Sequence, residues 1–410
     1  MVFMTTDSSI PHLFDAPDFA YAALSAIGKA TQGVMDIGLV FATFERIRDD
    51  DPTSWFTAWK STADDLRRQA DESSAAGRRD SASYYYLAAA DAFVRAIAFI
   101  DGMADDDELL PTFRLHRQSW DAFIASSGGR HLPVTIPYEG DTLPGYLLRP
   151  DTSGLARPTL VITNGSDGSL SGLWAEGIKA ALDHGWNAFV FDGPGQQSML
   201  FERNVPFRHD WEAVLTPVVD ALVARDDVDE TALLAYGISQ GGYWLPRALA
   251  FEHRFVAAVV DGGVMDVSAS WNSNLPQELV DLLHAGNKEL FNKYMEMGPS
   301  DPALERKLAF RSRPYGDVAS AFDLFTEVGK YALYDVVDQI RTPLLITDPD
   351  DDEFFPGQSQ QLFDSLKGPK DIVRFTHAQG ADHHCSPMAR TLVELHMNDF
   401  FDEQLAKARK

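Results

Sequence analysis

The chain has 410 residues and a formal net charge of -26, and a soft prior of about 150 residues per domain makes that two or three units with room for a sizeable core. So acidic a balance argues against nucleic acid or an anionic membrane as partner, because the basic surface that neutralises phosphate is missing. A single cysteine, Cys385, leaves no internal disulfide and agrees with a reducing compartment. The opening MVFMTTDSSIPHLFDAPDF has neither a basic leader nor an apolar run long enough for a signal peptide or membrane span, so a cytoplasmic protein is expected.

Residues 1 to about 130 read as a helical domain. Asp51-Pro52 forms a cap with proline in the first turn, and the helix carrying Trp55 and Trp59 runs to a stop at Gly77. In the next helix Tyr85, Ala89, Phe93 and Ile97 recur at four-residue spacing, which predicts one apolar face packed antiparallel on the first, with Gly102 as terminator. Pro111 opens a third helix through Trp120 and Phe123 to Gly128-Gly129. No 34-residue self-similarity or strand repeat is present, which argues against a solenoid or a propeller.

From His131 the period becomes strand-like, and VTIPYEGDTLPGYLLRP predicts a hairpin turned at Glu139-Gly140-Asp141. Strands then alternate with helices: 158–163, 188–191, 233–236, 256–261, 343–347 and 372–375. Strands joined by helices pair in parallel, so residues 131–410 are expected to form a doubly wound, mostly parallel α/β sheet. Residues 262 to about 335, including QELVDLLHAGNKELFNKYMEM, are too long for a plain crossover. They are read as a helical lid inserted over the carboxyl ends of the strands.

One stretch in this sheet carries chemistry. Gly237-Ile238-Ser239-Gln240-Gly241 lies between an apolar strand and an Ala/Leu-rich helix, where a strained turn would expose a serine above the sheet and aim the Gln240 N–H at an oxyanion. With glycine at about 7% of an average chain, G-x-S-x-G alone arises by chance in roughly one chain in ten of this length. Its context therefore has to carry the reading.

That context lies downstream. The strand PLLIT runs into Asp348-Pro349-Asp350-Asp351-Asp352-Glu353-Phe354-Phe355-Pro356, and the spacing to Pro356 selects Asp352 as the acid, with Asp348 and Asp350 as runners-up. A calcium loop would need glycine where Glu353 stands and a bidentate glutamate where Ser359 stands. The last strand leads into HAQGADHHCSPMA, in which His383 is chosen as general base over His377 and His384. The order Ser, Asp, His on successive strand ends is that of the α/β-hydrolase fold.

Asn164-Gly165-Ser166-Asp167-Gly168 follows the first parallel strand, where a second oxyanion N–H is supplied in lipases and esterases; Ser166 is the expected donor, and Asp167 is a candidate substrate-facing carboxylate, with an ordinary turn residue as the equal alternative. Asp192-Gly193-Pro194-Gly195-Gln196-Gln197-Ser198 superficially offers a dinucleotide turn, but it lacks the third glycine and is not at the start of the fold. Trp174, Tyr243, Trp244, Trp271, Phe354 and Phe355 are expected near the cleft, with core packing as the alternative for each.

G-I-S-Q-G-G-Y-W-x-P-R-A, the D-G-P-G-Q loop, the late D-x-x-x-P acid loop and the D-H-x-C histidine loop resemble the α/β-hydrolases with a helical N-terminal domain. These include 2,6-dihydroxypseudooxynicotine hydrolase, the FrsA-like esterases and the fungal hydrolases that shorten aromatic polyketides. The resemblance covers most of the chain. It implies a Ser-Asp-His hydrolase, often a homodimer, whose N-terminal helices help cover the active site and which cleaves an ester, a lactone or a ketone-adjacent carbon-carbon bond. Such a triad requires no metal or organic cofactor, and the aromatic residues expected near the cleft point to a small aromatic or polyketide-like substrate. An acyltransferase would use the same residues, and a hydrolase-fold binding protein would need no triad. In the pseudooxynicotine enzyme a glutamate of the oxyanion loop assists; Asp167, one methylene shorter, stands there.

Overall fold

The computed structural model describes residues 13–298 and 302–410. The leader reading for residues 1–12, and residues 299–301 of the expected insertion, lie outside the described residues.

Among the described residues five α-helices come first: α1 (Pro17–Thr31), α2 (Ile37–Phe44), α3 (Pro52–Ala75), α4 (Arg79–Ile97) and α5 (Leu109–Ser126). Asp51 caps α3 by accepting from the Ser54 N–H, which satisfies one orphan donor of the first turn. The single apolar face expected for α4 is too narrow. Ala88, Ala89, Ala90, Ala92 and Ala96 are all buried, so α4 is enclosed on most of its circumference, and small side chains let its neighbours approach closely. Phe19, Trp55, Trp59, Phe93 and Phe99 fill the centre of this bundle.

β1 (His131–Tyr138) and β2 (Asp141–Leu148) form an antiparallel hairpin in which Tyr138 faces Asp141. Its two turn residues, Glu139 and Gly140, have φ of 45° and 82°, the left-handed pair that matches strand twist in a two-residue turn. There follow β3 (Arg157–Thr163), α6 (Ile178–Asp183), β4 (Asn187–Phe191), α7 (Gln197–Phe201), α8 (Glu212–Val223), β5 (Val228–Ile238), α9 (Gly241–Leu249) and β6 (Phe255–Asp261). Among the described residues the α-helices α10 (Val267–Asn272), α11 (Gln277–His284), α12 (Lys288–Glu296), α13 (Pro302–Ser312) and α14 (Ala321–Val328) then intervene. The chain returns through β7 (Leu344–Pro349), α15 (Gln358–Ser365), β8 (Lys370–Phe375) and α16 (Arg390–Ala408).

The eight strands lie in the order β1-β2-β4-β3-β5-β6-β7-β8; pairs from β4 to β8 are parallel, and β1 and β2 close one edge antiparallel. This is the α/β-hydrolase fold, with apolar clusters on both faces of the sheet. One gathers Trp211, Val214, Trp244 and Leu362; the other gathers Trp120, Tyr146, Met397 and Phe401. β5 sits between β3 and β6, so its carboxyl end opens where the strand order reverses, the natural place for a ligand. The helices between β6 and β7 meet the front bundle there: Lys307 of α13 reaches Asp18 of α1 at 3.2 Å.

Candidate active site

β5 ends at Ile238 and α9 begins at Gly241, so Ser239 must reverse the chain in two residues. It does so at φ 56°, a left-handed conformation that costs a non-glycine residue energy and persists because its surroundings hold it. The Ser239 N–H donates to Asp261 O (2.9 Å) and the Gly242 N–H to Ser239 O (2.7 Å). Both motif glycines are sterically required: a Cβ at 237 would lie 2.5 Å from Gly241 O, and one at 241 would lie 2.4 Å from Thr163 O.

The ring facing this serine is that of His384, with Nε2 2.9 Å from Ser239 Oγ and Nδ1 3.0 Å from both Asp352 oxygens. A carboxylate can only accept, so Nδ1 carries the proton and Nε2 accepts from the hydroxyl. Asp352 Oδ1 also accepts the N–H groups of Phe354 and Phe355, at 2.9 and 2.8 Å. Burial works against ionisation of Asp352, but the His384 imidazole that donates to it and these N–H groups outweigh burial and hold the carboxyl below its usual range. Burial likewise opposes protonation of His384, and the neighbouring Asp352 charge reverses the balance, so its pKa stands above the ordinary value.

His383, selected from the sequence, does not face Ser239. Its main chain pairs with Asp351 in an isolated parallel bridge, which turns its side chain outward and the next one inward. His383 Nδ1 lies 2.5 Å from Glu353 Oε1, and Glu353 Oε2 accepts the His384 N–H at 2.9 Å. The remaining alternatives are also engaged elsewhere: Asp350 with Arg374 at 2.6 Å, and His377 with Asp382 at 2.7 Å. Asp348 lies within β7, half-buried beside Arg374.

Across from the elbow runs 164–168, with Gly165 against the serine: a Cβ there would lie 2.9 Å from Ser239 Cβ and 3.3 Å from its Oγ. Ser166 Oγ donates to Asp167 Oδ1 at 3.2 Å. Beneath this loop sits Gln196 of the Asp192–Ser198 segment, 2% exposed, its Nε2 donating to Asn164 O and Gly165 O at 3.0 Å each.

A cavity of about 310 Å³ opens over Ser239 and His384, and its walls include Tyr21, Asp167, Arg311 and Phe354. An adjoining chamber of about 120 Å³ is lined by Gln240, Trp271, Phe207 and Tyr315, with Asp167 and Arg311 shared between the two. Of the aromatic residues expected near the cleft, Trp271, Phe354 and Phe355 therefore line it. Tyr243 and Trp244 do not: both are fully buried on α9, and their polar tips donate to His209 O and Arg208 O. Trp174 packs edge-on against Phe123 and lines a separate pocket with His131 and Arg149. Residues the sequence did not single out are Tyr21, whose hydroxyl donates to His384 O at 3.0 Å, Arg311, whose guanidinium stands 5.4 Å over the Phe354 ring, and Glu353.

Comparison with known proteins supports the same architecture. The prolyl oligopeptidase family matches residues 215–408. Hydrolase LUC6 of Fusarium sp is 30% identical over 369 residues, 86% of this chain and 87% of that protein. Alpha/beta hydrolase psoB of Aspergillus fumigatus is 27% identical over 397 residues, 89% and 87% of the two chains. The crystal structure of 2,6-dihydroxy-pseudo-oxynicotine hydrolase superposes with a TM-score of 0.69 at 20% identity, covering 92% of this chain and 95% of that one. The fold and near full-length similarity together make this chain an enzyme of the α/β-hydrolase family to which Hydrolase LUC6 belongs.

Proposed function

We propose that the protein is a serine hydrolase acting on an ester, a lactone or a ketone-adjacent carbon-carbon bond of a small aromatic or polyketide-like substrate. The observation that carries this reading is the continuous chain from Asp352 through His384 to Ser239 Oγ, in the wall of a cavity large enough for a small molecule. Ser239 attacks the carbonyl carbon while His384 Nε2 takes its proton, and Asp352 holds the imidazole tautomer. The Gln240 and Ser166 N–H groups receive the oxyanion. The proton then passes to the leaving group, an alkoxide from an ester or an enolate carbon from a 1,3-diketone, and water cleaves the acyl-enzyme.

The cleft supports the substrate class by its make-up. Trp271, Tyr315, Phe207 and Phe354 offer flat apolar surface, and Asp167 and Arg311 supply polar groups shared by both chambers. A fluorophosphonate should label Ser239, with labelling lost in Ser239→Ala. Labelling elsewhere, or none in a folded sample, would overturn the mechanism. Mass spectrometry of products from aryl esters, lactones and aryl 1,3-diketones then separates ester from carbon-carbon cleavage.

A further inference from the structure

We infer that Gln196 is a positioning residue that fixes the orientation of the Gly165–Ser166 peptide and so forms one half of the oxyanion hole before substrate arrives. The inference rests on the serine-hydrolase reading and assigns a task to the D-G-P-G-Q loop, which that reading leaves without one.

The side-chain amide of Gln196 is held in one orientation. Its Oε1 accepts the Gly193 N–H at 2.9 Å, and its Nε2 donates to both Asn164 O and Gly165 O at 3.0 Å. The reverse assignment would set an NH₂ against an N–H and an oxygen against two carbonyls. Each of these groups is buried with Gln196, so breaking the set leaves unpaired polar atoms out of reach of water.

In a planar trans peptide the C=O and N–H point to opposite sides. Peptide 164–165 is tied at both ends, its carbonyl on Gln196 and its Gly165 N–H on Asn164 Oδ1 at 2.8 Å. Among the described residues, peptide 165–166 is tied at the carbonyl alone. With Gly165 O drawn down to the buried amide, the Ser166 N–H is turned to the other side of the loop, where Ser166 lines the cavity beside Ser239. Gly165, lying against the Ser239 side chain, brings this peptide within reach of the reacting carbon. Were the peptide to flip, a carbonyl oxygen would occupy the place of the donor and repel the developing charge.

Gln196→Met keeps the length of the side chain and removes both donors. Gln196→Glu keeps the acceptor for Gly193 and sets an oxygen against the two carbonyls, favouring the flip. Both are assayed on p-nitrophenyl acetate, alongside the inhibition constant of an aryl boronic acid, which forms a tetrahedral anionic adduct on the serine. The expected result is a fall in kcat of about 10²-fold, the scale of losing one oxyanion donor, with KM little changed and boronate affinity reduced in proportion. A purely structural glutamine would lower the melting temperature without weakening the boronate more than the substrate, and that outcome overturns the inference. A crystal structure of the wild-type boronate adduct gives a test independent of how the variants fold: the Ser166 N–H must meet the boronate oxygen while Gly165 O stays on Gln196, and a flipped peptide overturns the idea. Fluorophosphonate labelling of wild-type Ser239 separates the two failures, since it stands or falls with the hydrolase reading and not with Gln196.

Discussion

His384 Nε2 stands 2.9 Å from Ser239 Oγ, while the adjacent His383 turns its ring to Glu353 at 2.5 Å. Two neighbouring imidazoles thus have separable tasks. His384→Ala is expected to lower kcat on the order of 10⁶-fold, as loss of a triad base does. His383→Ala should cost less than tenfold, through looser placement of Glu353. Steady-state kinetics on one ester decide it, and comparable losses from the two variants would refute the assignment.

The pH profile provides a second check. As the base, His384 must be neutral, and activity is lost as pH falls through its pKa. Because the Asp352 charge raises that pKa against the effect of burial, the acid limb of kcat/KM should have its midpoint above 6.5, the ordinary imidazole value. Asp352→Asn removes the charge and leaves the burial, so the limb should shift to lower pH while kcat falls on the order of 10⁴-fold. A limb that stays in place in Asp352→Asn would mean that another group titrates.

How far the sequence carried this site depends on local signals. The elbow was legible because strand period, helix composition and crowded glycines all act within a few residues. The histidine was not, because its direction is set by pairing with Asp351 and by the left-handed turn at Cys385 and Ser386 (φ 56° and 42°), where no glycine announces the bend. Tyr243 and Trp244 follow Ser239 closely in sequence, yet the first turn of α9 carries them into the core. Tyr21 reaches the site from 363 residues away along the chain, and nothing in its own surroundings foretells that contact.

Beneath the triad, Arg390 donates to Asp261 Oδ2 at 2.5 Å, and the Tyr236 hydroxyl donates to the same oxygen at 2.7 Å; both charged residues are almost wholly buried. Arg390 also donates to Cys385 O at 2.8 Å, and Asp261 O holds the Ser239 N–H, so this pair joins the histidine segment to the elbow. Arg390→Met should destabilise by about 3–5 kcal/mol, because it strands a buried carboxylate. Adding Asp261→Leu should recover part of the loss. Denaturant unfolding of the single and double variants measures the coupling, and additive losses would argue against it.

The last prediction concerns α1 as a wall of the site. Tyr21 donates to His384 O at 3.0 Å, Gln32 Nε2 donates to Thr391 Oγ1 at 2.8 Å, and Lys29 pairs with Glu176 at 3.2 Å. Between these contacts the helix comes so close to the histidine segment that a Cβ on Gly28 would lie 1.8 Å from Pro387 O. Both partners there are backbone, so neither can swing aside and the helix itself must move. Tyr21→Phe loses one hydrogen bond worth about 1 kcal/mol, and kcat should drop no more than tenfold. Gly28→Ala adds only a methyl group but should cost about 1–3 kcal/mol of stability by overpacking. Because the displacement falls on the segment that carries His384, Gly28→Ala should lower kcat more than Tyr21→Phe and slow fluorophosphonate labelling of Ser239. The two measurements together separate a general loss of folding from a misplaced base: a folded Gly28→Ala with wild-type kcat would show that α1 does not hold His384 in place.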